Sequence, residues 1–308
     1  METFEVGLVE EGIGSGPGRG LLRTLKAYVE VTKPASVFLL AFTAVATMVV
    51  AAGGQTIPLG LFLRAVLAAM AGCAGANAVT CYIDRDIDGA MERTKRRPLP
   101  TRRINPPARA LYWGLVLTFL SLALAWQINF LAFLCAALGF VDNVVVYSLL
   151  MKRRSPLNVI WGGFSGGLPA LFGWAVVRNS IDLVPILIAA LVVLWIPNHI
   201  WNLAIFYSDD YKKVKVPMLP TVFTLEKTLR CIAATVLLLY AFSILLYFVG
   251  GLGPIYLGTA LLLGFLISVG NIYLVLRPSA HNAWVMFKLS GPYLFLLFLG
   301  MIVDVLSR

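Results

Sequence analysis

Cysteine, histidine and, over most of the chain, charge are scarce in this sequence. Cys73, Cys81, Cys135 and Cys231 lie in or at the ends of apolar runs, and no two are spaced as CxxC. That excludes the usual signatures of a zinc site and a disulfide framework and leaves the four as small core residues. The only histidines are His199 and His281, the second in the loop RPSAHNAW, where a surface role is expected. The first twenty residues, METFEVGLVEEGIGSGPGRG, lack the basic start and apolar core of a signal peptide. They are expected to be a disordered cytoplasmic tail (1–20), with 21–308 forming a single transmembrane domain.

Hydrocarbon fills the remainder. Apolar residues make up 59% of the 308 positions and the mean hydropathy is +0.85, which places the chain in a membrane. A helix needs about 20 mostly apolar residues to cross the bilayer core, where every backbone polar group must be paired internally. Nine stretches satisfy this, near 36–53, 58–79, 108–126, 129–150, 157–177, 183–205, 231–250, 253–275 and 284–305. The expected fold is an all-α polytopic membrane protein: a bundle of nine transmembrane helices with cytoplasmic helical loops over an active-site mouth. Every Lys and Arg except Arg64, Arg178 and Arg308 falls on one side of these spans. Basic short loops stay cytoplasmic, so the N-terminus and the long loops are placed inside and the C-terminus outside, in a multi-pass protein of the cell membrane. The net charge of +10 is then a topology signal and gives no ground for nucleic-acid binding.

The charge missing from the spans is gathered in two loops on the basic side. From Asp84 to Arg103 eleven of twenty residues are charged, with both signs present. On a helix continued from the second span, Asp84 and Asp88 lie one turn apart on the same face and Asp86 turns away. Two converging carboxylates at a bundle mouth suit Mg²⁺, which keeps several waters and is shared between carboxylates and substrate phosphates. Arg93, Lys95, Arg96 and Arg97 then suit further phosphate oxygens, Arg through its fork and Lys as a point charge. The second loop, SDDYKKVKVPMLP, offers Asp209 and Asp210 as metal ligands with Lys212, Lys213 and Lys215 beside them. Neighbouring helical residues diverge by about 100°, so one of the pair is the better ligand, and Asp210 is preferred. For the basic residues a solvated loop face is the simpler explanation, because loops on that side are basic anyway. The carboxylates have no such explanation.

These motifs carry a resemblance. YIDRDIDGAMERTKRRPLP (Tyr82 to Pro100), KRRSPLNVIWGGFSGGLPALFGWAV (Lys152 to Val176), WIPNHIWNLAIFYSDDYKKVKVPMLPTV (Trp195 to Val222) and, in the first helix, TKPASVFLLAFTAVATMVV from Thr32 resemble the UbiA-type intramembrane prenyltransferases. PNHIW and VPMLP point within them to the protoheme IX farnesyltransferase, or heme O synthase, branch. The resemblance implies that 21–308 is one prenyltransferase domain. It also implies that Asp84 and Asp88 hold Mg²⁺ on the diphosphate of farnesyl diphosphate and that Asp209 and Asp210 complete the site. Lys152, Arg153 and Arg154 suit the diphosphate or the propionates of heme b (protoheme IX), with anchoring of the topology as an equal alternative, and Lys212 and Lys213 lie beside the second acidic pair. A heme vinyl group captures the allylic cation and water completes a hydroxyethylfarnesyl substituent, giving heme O. Tyr147, Trp161 and Trp201 are candidates for stabilising that cation through their ring faces, with plain packing as the alternative. His199, after a helix-kinking proline, is read as a heme contact, either an axial ligand or a polar anchor, against a merely hydrogen-bonded helix histidine. Gly162, Gly163, Gly166 and Gly167 allow close helix packing or room for a flat macrocycle. The pattern departs at one place. The superfamily has Asn four residues before the first metal Asp, where this chain has Thr80, with Asn77 a turn earlier.

Two rival readings follow. The same chemistry serves another acceptor, such as an aromatic acid, a quinone precursor or a glycerol phosphate. A transporter for an anionic solute would instead place ionisable groups near the midplane, where this chain has little besides Asp142. Oligomeric state is not written in these motifs.

Overall fold

The computed structural model describes residues 17–308, with side chains from Gly20 onward. The expected tail lies, up to position 16, outside the described residues; helix α1 (Pro17–Glu30) begins within the 1–20 segment. Nine helices among the described residues are long and apolar enough to cross a bilayer, and no strand occurs among them. They are α2 (Pro34–Ala52), α3 (Leu59–Ile83), α5 (Ala108–Trp126), α6 (Phe130–Val141) with its π-helical continuation Asp142–Met151, α7 (Asn158–Arg178), α8 (Leu183–Phe206), α11 (Leu225–Gly250), α12 (Pro254–Leu276) and α13 (Ala280–Leu306). Short helices α4 (Arg85–Ala90), α9 (Ser208–Lys213) and α10 (Leu219–Val222) punctuate the long loops.

Two helices start earlier than hydropathy alone suggests, because polar caps and polar or charged residues in the first turn dilute the apolar signal. Helix α11 begins at Leu225, where the Thr224 side chain accepts from Lys227 N at 3.3 Å. Helix α13 begins at Ala280, where Ser279 Oγ accepts from Asn282 N at 3.0 Å. Such caps satisfy donors that the first turn leaves without partners. Helix α1 is amphipathic: Ala27 is buried against the first loop while Leu21, Leu22, Leu25 and Val29 are exposed. Arg103 ties that loop to it with a two-pronged pair to Glu30 at 2.6 and 2.8 Å.

In the bundle α3 packs on α5, α5 on α6, α6 on α7, and α7 on α8. Helix α8 meets α11 and α13, α11 meets α12, and α12 meets α13, while α2 touches α3, α7 and α13 and closes the circuit. Without a hydrophobic drive between helices in lipid, small residues that let backbones approach decide such contacts. A Cβ on Gly173 would stand 2.2 Å from the Ala44 carbonyl oxygen, and backbone cannot swing aside as a side chain can. Gly173→Ala is therefore expected to destabilise the α2–α7 contact by about 1–3 kcal/mol. A lowered thermal unfolding midpoint in detergent is the readout, and an unchanged midpoint would contradict the packing described here.

Helices α2, α3, α6, α7, α8 and α13 surround a cavity of about 940 Å³. Nearly all of its walls are apolar, with Asn77, Asn143, Tyr147, Ser165 and His199 among the polar exceptions.

Candidate active site

Asp84 ends α3 and Asp88 lies in α4, but the break between the helices is slight. Asp88 N still donates to the Asp84 carbonyl at 2.8 Å, so the one-turn relation expected on a continuous helix is kept. Both carboxylates are buried, each at 4% exposure. Lys152, immediately after the π-helical end of the fourth span, donates to Asp84 Oδ2. Arg97 reaches back from the first loop and binds both Asp88 oxygens at 2.9 and 3.0 Å, helped by Thr94 Oγ1 donating to the Asp88 carbonyl at 2.9 Å. Asp86 points the other way, as its helical position dictates, and takes a two-pronged pair from Arg153 at 2.7 and 2.8 Å.

The electrostatics follow from these partners. Burial opposes the Lys152 charge, but Tyr147, Asp84 and Asp88 outweigh it and hold the ammonium above its ordinary range. A base raised in this way keeps its contribution at neutral pH and loses it only as pH climbs past the folded value, on the alkaline side. Burial likewise works against Arg97, and the Asp88 carboxylate overcomes it. The Arg153 hydrogen bond lowers the Asp86 carboxyl, so that surface pair weakens only as pH falls below the ordinary carboxylate range.

The second loop contributes differently from expectation. Asp209 has a side chain 98% exposed, with Lys212 3.8 Å away, and does not reach the site. Asp210 is buried, and its two oxygens accept from the backbone N–H groups of Glu92 and Arg93 at 3.1 and 3.0 Å. It joins the two loops. Among the described residues no three His, Cys, Asp or Glu side chains gather closely enough to hold an ion by protein ligands alone. Asp84 Oδ1 nevertheless remains buried without a hydrogen-bond partner. A hard carboxylate oxygen left open beside a second carboxylate suits a divalent cation that draws its other ligands from water and phosphate.

The basic residues divide by depth. Arg93 is half-buried, its guanidinium 5.7 Å from the Tyr207 ring centre and Nη2 3.5 Å from the Tyr211 hydroxyl, while its Nε has no partner. Lys95 pairs with Glu92 on the surface, and Arg96, Lys212, Lys213 and Lys215 are exposed. Asn77 faces the cavity and donates to the Thr32 carbonyl at 3.0 Å. Thr80 donates to the Asn77 carbonyl at 3.0 Å and accepts from Lys33 at 3.5 Å. The hydroxyl at the departing position thus receives one more cation at the edge of the carboxylate pair.

The cavity begins beneath this cluster. Tyr147 lines it, and Lys152 Nζ lies 5.7 Å from the Tyr147 ring centre, linking the charged mouth to the apolar chamber. Trp161 is 46% exposed and Trp201 is buried away from the cavity lining, so Tyr147 is the one of the three candidate rings that faces the chamber. Gly162 and Gly166 serve both packing and space: a Cβ would stand 2.4 Å from the Tyr147 ring at the first and 2.5 Å from Ile196 at the second, and both line the cavity. His199 faces the chamber between Trp195 and Phe287, with ring centres 4.6 and 4.5 Å away. Its Nδ1 is 2.7 Å from Ser290 Oγ. Phe287 and Ser290 lie in a helix that shows only hydropathy, and no sequence signal marked them.

The chain matches the UbiA prenyltransferase family over residues 39–299. It is 56% identical over 289 residues to a protoheme IX farnesyltransferase of Desulforudis audaxviator, covering 94% of this chain and 91% of that protein. It is 38% identical to a protoheme IX farnesyltransferase of Thermoplasma volcanium, covering 92% and 99%. In three dimensions it is similar to a digeranylgeranylglyceryl phosphate synthase, with a TM-score of 0.77 at 21% identity over 92% of this chain and 99% of that one. It is also similar to a UbiA homologue from Archaeoglobus fulgidus bound to DMAPP and Mg²⁺, with a TM-score of 0.65 at 17% identity over 91% and 99%.

Proposed function

The chain belongs to the UbiA prenyltransferase family, and on that premise we propose that it transfers farnesyl from farnesyl diphosphate to a vinyl group of heme b, with Mg²⁺, giving heme O. The observation that carries the proposal is the pairing of two buried carboxylates and two buried-facing cations at the mouth of one large apolar cavity. The 56% identity to a protoheme IX farnesyltransferase supports the acceptor.

Asp84 and Asp88 would hold the metal, which supplies charge neutralisation for the diphosphate as a leaving group. Lys152, Arg97 and Arg93 bind diphosphate oxygens and stabilise the negative charge that grows there as the allylic C–O bond breaks. Tyr147 lies at the junction of mouth and chamber and offers its ring face to the allylic cation. The walls of the chamber keep water from the cation and take up the fifteen-carbon chain. The vinyl π electrons form the new C–C bond to farnesyl C1, and the cation left beside the macrocycle is closed by the oxygen of a water molecule that loses a proton. Asp210 keeps the first loop, with Arg93 and Arg97, over the mouth. On the ground of the excess of Lys and Arg at this end, we place it on the cytoplasmic side of the cell membrane.

Purified protein given Mg²⁺, farnesyl diphosphate and a panel of heme b, an aromatic acid and a glycerol phosphate is expected to prenylate heme alone. Prenylation of one of the other acceptors with heme untouched would overturn the acceptor while keeping the diphosphate chemistry.

A further inference from the structure

We infer that His199 ligates the iron of the porphyrin acceptor through Nε2, held for that purpose by Ser290, Trp195 and Phe287. The inference rests on the heme reading above and adds how the macrocycle is fixed and why iron matters to its recognition.

The tautomer follows from the neighbours. Ser290 Oγ stands 2.6 Å from the Phe287 carbonyl oxygen, which has no proton to give. Two oxygens approach this closely only with a hydrogen between them, so the Ser290 proton is committed to Phe287. Ser290 Oγ is then an acceptor toward His199, and the 2.7 Å contact requires Nδ1 to carry a hydrogen. In the neutral ring the lone pair is left on Nε2.

The orientation is fixed as well. Trp195 covers one face of the ring at an interplanar angle of 21° and Phe287 approaches the other at 36°. Trp195 is itself anchored, its Nε1 donating to the Ser290 carbonyl at 2.7 Å. His199 lines the cavity, and with both faces covered and the Nδ1 edge tied to Ser290 we take the opposite edge, which bears Nε2, as the one open to a ligand there. A lone pair held toward an apolar chamber inside a membrane is costly without a partner. A histidine whose distal N–H is tied and whose ring is clamped is how proteins prepare imidazole for a metal. Iron porphyrin supplies both the metal and a flat apolar body suited to the cavity walls.

The test titrates heme into the purified full-length protein and reads its visible absorption and electron paramagnetic resonance, with metal-free protoporphyrin IX in parallel. The wild type is expected to show the spectrum of histidine-ligated iron, and His199→Gly to lose it and regain it with added imidazole. Ser290→Ala, which frees the tautomer, is expected to weaken heme binding by about 10- to 100-fold. Binding of metal-free porphyrin is expected to be the same in all three, which also reports that the variants are folded. Unchanged iron spectra in His199→Gly, or an equal loss of metal-free porphyrin binding, would overturn the ligation. Farnesylation of heme by the wild type, measured on the same preparation, separates the two claims. If it occurs while the spectra do not respond to His199→Gly, only the ligation fails; if the wild type neither binds nor farnesylates heme, the acceptor reading fails and takes the ligation with it.

Discussion

Asp84→Asn and Asp88→Asn are each expected to slow prenyl transfer by about 10²- to 10³-fold at saturating substrate, the loss typical when one element of preorganised charge stabilisation is removed. Asparagine keeps the shape of either side chain and removes the charge that a cation and its diphosphate need. The loss belongs in turnover because the stabilised charge develops as the C–O bond breaks. Alanine would confuse the result. Lys152 has a side chain only 17% exposed and Asp84 is its partner, so alanine would remove its hydrogen-bond acceptor as well as the charge, whereas the asparagine carbonyl oxygen still accepts from the ammonium. Single-turnover consumption of farnesyl diphosphate, followed in proteins with matched unfolding midpoints, is the measurement. Rates within a few-fold of wild type in both variants would remove the carboxylate pair from the chemistry.

The second large effect separates two adjacent residues. Asp210→Ala is expected to raise KM for farnesyl diphosphate and lower kcat/KM by about 10²- to 10⁴-fold, since hydrogen bonds to a charged group contribute about 1.5–3 kcal/mol each and two are lost together. The freed loop carries Arg93 and Arg97, whose placement over the mouth depends on the Glu92 and Arg93 amides being held. Asp209→Ala is expected to change kcat/KM by less than about twofold, because its exposed contact with Lys212 is a surface pair of little worth. Steady-state kinetics on both variants decide it. A greater loss in Asp209→Ala than in Asp210→Ala would reverse the roles assigned here.

That contrast shows where the sequence was readable. Helical periodicity alone separates Asp84 and Asp88 from Asp86, and the side chains fall as the 100° step requires, with Arg153 collecting the outward one. The same step makes only one of Asp209 and Asp210 able to face inward. It does not say what Asp210 would meet there, because its partners are amides in a loop more than a hundred residues earlier. The nine spans were legible because hydropathy accumulates over twenty residues, whereas α1 was not, being short and half polar. The chamber wall was hidden for a related reason. In a chain where apolar residues are everywhere, nothing in the sequence distinguishes Phe287 or Phe295, which face the cavity, from Phe248, which is exposed on the outside. The π-helical stretch Asp142–Met151 was equally silent, although it positions Tyr147 and delivers Lys152, whose N–H bonds to the Tyr147 carbonyl at 2.8 Å.

We propose that one charged mouth and one apolar chamber join farnesyl to heme and that water closes the cation. Mass spectrometry of heme recovered after incubation with the protein, Mg²⁺ and farnesyl diphosphate in ¹⁸O-labelled water is the decisive measurement. The predicted product is heme carrying one farnesyl group and one hydroxyl whose oxygen bears the label. Unmodified heme alongside consumption of farnesyl diphosphate to free farnesol would contradict it.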